Sequence, residues 1–320
     1  MKIGIVYTGI TSYMTDCWKC LARQKDVAVK IWVEERNHGD TAFDRAKMLE
    51  GLDVKLYFTE TVSDVERQSV VDEIAAFRPA VVFVCGWSRR LPPYVAHAKE
   101  LADIPMVLDF DMPWEWRLRK IIAMFALRPR LKRFSAAFVP GTDAARYARR
   151  LGFPHNRIYT GRNCIDVVRF RSVPRKDVVR TGFLFVGRLV EAKNIKGLVR
   201  WYGRYRASGG DWPLDVYGKG PEAWRLKEVE GIRVHGFVQP DDLPLVYGRA
   251  HTLVLPSNWE PWGMVALEAL ASGCKVICSN ACGVKEVVRR CERDPNAIEE
   301  YSCEKWCARV MKITQELKNG

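Results

Sequence analysis

The chain has 320 residues, 48% of them hydrophobic, and a formal net charge of +13. This length exceeds one ordinary domain and suits two of about 150 residues each. No apolar run approaches the roughly 20 residues of a membrane-spanning helix, which excludes an integral membrane protein of that kind, and the excess of cations favours anionic partners such as nucleotides, acidic membrane surface or nucleic acid.

Met1–Tyr7 reads as a first strand and lacks the apolar stretch and small-residue cleavage site of a secretory signal, so a cytoplasmic protein is expected. In the first half, further strands are expected at Ala28–Val33, Val54–Tyr57, Ala80–Cys85, Pro105–Asp109 and Ala136–Val139. Helices are expected between them, as at Val62–Phe77 and Asp143–Leu151. The densest basic stretch is Arg117–Arg133, where Ile121, Ile122, Met124, Phe125 and Leu127 interleave with the cations. A helix of this kind can lie on anionic lipid, or it can pack on its own sheet and show its cations to water. Pro129 is expected to interrupt it.

Arg175 and Lys176 sit with Pro174 in a basic stretch that suggests a boundary near residues 166–180. Beyond it, strands fit Gly182–Val186, Leu214–Tyr217, Ile232–His235, His251–Leu255 and Lys275–Cys278. Helices fit Ile195–Arg206, Glu222–Glu228, Asp241–Arg249 and Met264–Ser272. A last helix is expected over residues 296–320, with room to cross back onto the first domain. The expected division is therefore 1–165, a linker at 166–180, a second domain at 181–295, and that helix. Strand–helix alternation of this kind makes α/β domains with parallel sheets, Rossmann-like in type. Two in tandem imply a cleft, with ligands at the carboxyl ends of strands. No solenoid repeat or low-complexity tract is visible.

Ten cysteines invite a metal or redox reading. Cys17-Trp18-Lys19-Cys20 spells C-x-x-C, but no second C-x-x-C accompanies it. Cys303 and Cys307 share a helix face, and Cys274, Cys278 and Cys282 are spaced by four. Free buried thiols are the preferred reading.

The most informative stretch runs from Pro256 to Gly273. Glu260 and Glu268 lie eight positions apart, the first in a strand-to-helix loop and the second about one turn into the helix. The first helical N–H groups lack partners and favour anions or sugar hydroxyls. A second stretch, Phe183 to Asn194, ends a buried strand at Gly187 and follows it with Arg188 and Lys193. Two cations at a parallel strand end can hold a pyrophosphate, Arg as a planar fork and Lys as a point charge. A third, Asp215-Val216-Tyr217-Gly218-Lys219-Gly220-Pro221, ends a strand in G-x-G-P, where glycines let backbone approach a ligand.

These stretches resemble those of retaining glycosyltransferases of the GT-B fold, family 4 most closely, through P-S-x-x-E-P-x-G-x-x-x-x-E-A-x-A-x-G, V-G-R-L-x-x-x-K and G-x-G-P, joined by Gly236-Phe237-Val238. The resemblance implies two Rossmann-like domains facing each other across a cleft. It also implies an enzyme moving a sugar from a nucleotide-diphospho-sugar to an acceptor hydroxyl with retention, in glycan or glycolipid assembly. It assigns Glu268 to the ribose hydroxyls. Glu260, with the amides of Trp262, Gly263 and Met264, goes to the transferred sugar. Arg188 and Lys193 go to the diphosphate, and Tyr217, Gly218 and Phe237 to the nucleotide.

The first domain matches loosely. Gly9 alone represents the family's Gly-rich loop after the first strand, which touches the sugar phosphate, and the resemblance assigns it to donor binding. No clear match exists for the histidine that family members place at a strand end. Asp111 is the choice for a polar group near the reacting centre, with Asp109 as runner-up, and Trp114 or Trp116 could stack on a sugar. Arg157 to Phe170 resembles the family's segment ending N-G-x-D-x-x-x-F, with Cys164 replacing the glycine; it marks a hinge and supplies no catalyst. Lys219 and Cys282 depart from the family's pattern, and the chain after Glu286 is abridged.

The implied chemistry is a front-face displacement. Arg188 and Lys193 are catalytic in holding the leaving diphosphate, alongside Glu260 and Asp111. No cofactor or metal is required, and Asp109-Phe110-Asp111 is not read as a metal site. The expected partners are a nucleotide sugar, a glycan or lipid-linked acceptor and an anionic membrane surface on which the protein would be peripheral, but not nucleic acid. Other enzymes of the same fold, a sugar-nucleotide epimerase or a phosphorylase, remain open, as does a non-catalytic basic module.

Overall fold

The computed structural model describes residues 1–36, 44–87, 89–114, 118–172 and 180–319, with the backbone alone at 118–120, 123 and 319. Trp116, Arg117, Ser88 and residues 173–179 of the expected linker lie outside the described residues. The chain divides into two compact units, one of Met1–Cys164 with Cys303–Gly320 and the other of Ile165–Ser302.

In the first unit the elements run β1 (Lys2–Thr8), α1 (Ser12–Ala22), β2 (Ala28–Glu35), α2 (Arg45–Leu49), β3 (Val54–Phe58), α3 (Asp64–Phe77), β4 (Val81–Cys85), α4 (Leu91–His97), β5 (Met106–Asp109), α5 (Leu118–Leu131), β6 (Ala136–Val139), α6 (Thr142–Leu151) and β7 (Ile158–Thr160). The strands form one parallel sheet in the order β3-β2-β1-β4-β5-β6-β7. Every residue of β4 and β6 is buried, as strands covered on both faces must be, and this is why they read as continuous apolar runs. α3 starts at a capping box: Ser63 receives the Glu66 amide at 3.2 Å and Glu66 receives the Ser63 amide at 2.8 Å.

The second unit holds α7 (Val167–Arg171), β8 (Phe183–Val186), α8 (Ile195–Ala207), β9 (Leu214–Tyr217), β10 (Ile232–Gly236), α9 (Leu243–Arg249), β11 (Thr252–Leu255), α10 (Met264–Ala271), β12 (Lys275–Cys278) and α11 (Lys285–Arg293). Its five strands are parallel in the order β10-β9-β8-β11-β12. The chain builds outward from β8 through β9 to β10, then returns to the other side of β8 with β11. The crevice beside such a reversal is where open α/β sheets take ligands. Phe183, Phe185, Leu198, Tyr202 and Val216 form the core under α8. α12 (Cys303–Asn319) returns to the first unit, where Trp306, Val310 and Ile313 are buried and α12 packs on α1.

Several elements differ from expectation. Residues 166–171 are not linker. Asp166 caps α7 by accepting the Arg169 amide at 2.9 Å, and the buried Phe170 meets Tyr247 at 5.9 Å between ring centres. Pro221–Leu226 is a 3-10 segment and not an α-helix, tied early by the Glu222 amide to the Leu189 carbonyl. The last helix starts at Cys303, after a separate 3-10 segment Pro295–Tyr301. Pro129 sits inside α5 without ending it, since it falls in the last turn, where water can take the carbonyl it leaves unpaired. None of the described helices is long and apolar enough to cross a membrane.

Gly218 shows why the second unit needs glycine at a strand end. Its φ is 153°, its amide donates to the Gly236 carbonyl at 2.6 Å, and a methyl group there would overlap the Gly187 carbonyl oxygen. We predict that Gly218→Ala lowers unfolding free energy by about 1–3 kcal/mol with an unchanged denaturant slope in urea titration. A variant as stable as the parent would show that the two loops are free to part.

Candidate active site

The loops after β8, β9 and β11 are stitched together by main chain. Gly187 and Leu189 donate to the carbonyls of Tyr217 and Lys219 at 3.0 and 2.9 Å. The Ala192 carbonyl accepts the amides of Asn258 and Trp259 at 2.9 and 3.3 Å. Asn194, at φ 56°, receives the Gly197 amide at 3.0 Å to start α8, and its side-chain amide reaches the Pro256 carbonyl at 3.0 Å. These bonds bring Lys193 against Glu260, and the two side chains form an ion pair. Asn194 carried no expectation, although its place directly after Lys193 and ahead of an apolar helix is a helix-start signal.

The Glu260 segment is braced from its other side by the turn after β12. Gly283 and Val284 donate to the carbonyls of Glu260 and Trp262 at 3.1 and 2.9 Å, and Ser279 Oγ donates to the Ser257 carbonyl at 2.6 Å. Gly263, at φ 108°, turns the chain into α10. The amides of Trp262, Gly263 and Met264 have no protein acceptor among the described residues. The Trp262 indole is buried, 6.3 Å from the Tyr301 ring, so this residue offers a ligand its main chain and not a stacking face. Arg188 is exposed at the end of β8.

Glu268 is buried on α10, where its carboxylate accepts the Tyr247 hydroxyl at 2.8 Å. Burial and the carboxylate push the Tyr247 hydroxyl well above its usual value, so it remains a donor. Tyr217 stacks on His235 at 4.4 Å and 11°, while His235 and Arg233 hold the two oxygens of Asp215 at 2.6 and 2.7 Å. These four side chains and Arg249 line a cavity of about 270 Å³. Phe237 is half-buried just past β10.

In the first unit, Gly9 stands at φ 81° after β1 and donates its amide to Glu34 at 3.0 Å, and Asp111 is half-buried after β5. Asp109 takes a different part from Asp111. It is buried and ion-paired with Arg162, which is itself 3% exposed. Arg162 also donates to the Tyr7 hydroxyl and to Asn163 Oδ1, the latter at 2.6 Å. Burial raises the Asp109 carboxyl, opposed by the guanidinium, and burial beside Asp109 pushes the Cys85 thiol to about 11. One buried cation thus ties the ends of β1 and β5 to the segment after β7, a role unmarked in the sequence. The ring of Trp114 is engaged by Arg150 at 4.9 Å and by Tyr147 at 5.5 Å, which makes it a packing residue.

The profile of the family described as Glycosyl transferases group 1 matches residues 169–317. The chain carries a group 1 glycosyl transferase domain. The chain is similar to the O-antigen chain mannosyltransferase B of Escherichia coli, with 37% identity over 130 residues. That match covers 37% of this chain and 34% of the relative, so the chain spans about a third of the curated protein's length. Solved structures resemble it from end to end. A glycosyltransferase from Rickettsia africae ESF-5 aligns with a TM-score of 0.73 at 13% identity, over 99% of this chain and 98% of that one. The HepE protein of Anabaena in complex with UDP and glucose aligns with a TM-score of 0.65 at 15% identity, over 100% and 98%. At such identities the likeness concerns the fold, and the two parallel α/β sheets are those of a GT-B protein.

Replacing Arg162 by Met would strand the Asp109 charge in the core of the first unit. We predict that Arg162→Met costs about 3–5 kcal/mol of stability at pH 7, read by urea unfolding, and that adding Asp109→Asn recovers part of the loss. A near-neutral Arg162→Met would mean that water reaches this pair.

Proposed function

We propose that the chain transfers a sugar from a nucleotide-diphospho-sugar to an acceptor hydroxyl with retention of anomeric configuration. The observation that carries this reading is the cluster at the reversal of the second sheet. There Lys193 is held against Glu260, Arg188 is exposed just past β8, and three amides at the start of α10 lack acceptors among the described residues. Such a site favours a leaving group with two phosphates next to a sugar rich in hydroxyls. The preformed ion pair is a resting arrangement in this reading. An arriving diphosphate shares Lys193, and Glu260 turns to the sugar.

Charge grows on the diphosphate oxygen as the glycosidic bond breaks, and Lys193, Arg188 and the α10 amides stabilise it without reorganising. Glu268, oriented by Tyr247, accepts the ribose hydroxyls. In this reading Gly9 serves donor binding and Asp111 is the polar group for the reacting centre. The UDP held by the Anabaena neighbour supports starting the search with uridine donors. Lys193→Ala should lower kcat by about 10²–10³-fold, with nucleoside diphosphate release measured against glycoside formed and the anomer assigned by NMR. Donor epimerised without nucleoside diphosphate release would replace this reading with the epimerase, and cleavage requiring inorganic phosphate would replace it with the phosphorylase.

A membrane surface as partner has its own support. On α5, Ile122 and Phe125 are each 61% exposed, and Arg128, Arg130 and Lys132 are exposed beyond them. Apolar side chains beside a run of cations suit insertion among anionic headgroups. The double variant Ile122→Glu, Phe125→Glu should reduce sedimentation with vesicles containing phosphatidylglycerol by about tenfold and leave turnover of a soluble acceptor intact. Equal sedimentation of both proteins would remove α5 from membrane contact.

A further inference from the structure

Four thiols meet along the seam between α1 and α12. Cys17 and Cys20 stand a turn apart on α1, and Cys303 and Cys307 a turn apart on α12. The sulfurs of Cys17 and Cys303 are 3.6 Å apart. One turn further along, the Cys307 thiol donates to the Cys17 carbonyl at 3.8 Å and is in hydrogen-bond contact with the Cys20 thiol. The described residues hold no group of three or more His, Cys, Asp or Glu fit to bind a metal ion, so the chemistry this seam offers is that of paired thiols.

The two pairs differ in access. Cys17, Cys303 and Cys307 are 0%, 4% and 1% exposed, whereas Cys20 is only half-buried. We propose that Cys20 and Cys307 are an oxidisable pair whose disulfide latches α12 onto α1. The co-reactant is a small-molecule disulfide such as oxidised glutathione. The Cys20 thiolate attacks one of its sulfurs, forming a mixed disulfide and releasing one small thiolate. Cys307 then gives up its proton, and its sulfur displaces the second small thiolate from Cys20. Two protein thiols and one small disulfide become one protein disulfide and two small thiols. The Cys20 contact and burial push the Cys307 thiol up, and burial pushes the Cys17 thiol up, so both stay protonated and unreactive until Cys20 has been engaged.

The consequence is mechanical. α12 is otherwise held to the first unit without a covalent link, by the packing of Trp306, Val310 and Ile313 and by hydrogen bonds from Tyr159 to Glu316 and from Arg309 to the Cys164 sulfur. The link would close a covalent loop containing the whole of the second unit, Ile165–Ser302. It would also anchor α1, which starts three residues after Gly9.

The test uses the full chain, oxidised with glutathione disulfide under native conditions, alkylated with N-ethylmaleimide, digested and mapped by mass spectrometry. The expected result is one intramolecular Cys20–Cys307 bond, a Tm higher by about 5 °C, and reversal of both by dithiothreitol. Cys20→Ser and Cys307→Ser should each abolish the bond and the Tm rise while matching the parent's Tm in reductant. Cys17→Ser should keep both. A bond mapped elsewhere, a stable glutathione adduct at Cys20, or a Cys20–Cys307 bond without a Tm rise would each overturn the latch.

Discussion

Main-chain contact between neighbouring loops is the constraint on which the candidate site of the second unit depends. The segments leaving β8, β9 and β11 hydrogen-bond to one another through carbonyls and amides, and Lys193, Glu260 and the free amides of α10 ride on them. Backbone can approach backbone this closely only where no Cβ intervenes, which is why Gly218, Gly220 and Gly283 stand at the crossing points. Side-chain bonds from Asn194 and Ser279 then lock the arrangement. The loop backbone is thus organised before any ligand arrives, as the proposed stabilisation of a leaving group requires.

The two ion pairs at strand ends illustrate opposite uses of charge. Lys193 and Glu260 keep 17% and 11% of their side-chain surface exposed, so each can exchange its partner for a ligand at modest cost. Arg162 and Asp109 are 3% and 4% exposed, and Arg162 spends its remaining donors on Tyr7 and Asn163. A pair so desolvated stabilises little on balance but is expensive to break. It acts as a tie between strand ends, while the first pair is the one proposed to meet a ligand. Burial separates the two carboxylate–cation pairs, and the guanidinium's extra donors let the buried one hold several strand ends.

Much of the architecture was legible in the linear pattern. Strands buried on both faces read as apolar runs, so β4, β6, β8 and β11 fall where the runs do. The short β7 drew no expectation, because its three residues show neither a run nor a clear alternation. The chain from Asp166 to Arg171 looked like linker because its cations and the proline beyond masked the single Phe170 that anchors α7. On the site, the spacing of Glu260 and Glu268 and the strand-end position of Arg188 and Lys193 were readable, since turn glycines and apolar runs bracket them. Arg162, Tyr247 and Asn194 were not read. Their roles depend on partners 53, 21 and 62 positions away along the chain, at Asp109, Glu268 and Pro256.

By itself, then, the sequence determined most of the strands and helices, though not β7 or α7, and which loops carry the charged and glycine-rich motifs, because those properties follow from local periodicity and backbone freedom. The tertiary structure alone decided which of the ten cysteines touch, which arginine is interred, and that Lys193 meets Glu260. Contacts between segments far apart in the chain are set by strand order and packing, and no local pattern encodes them.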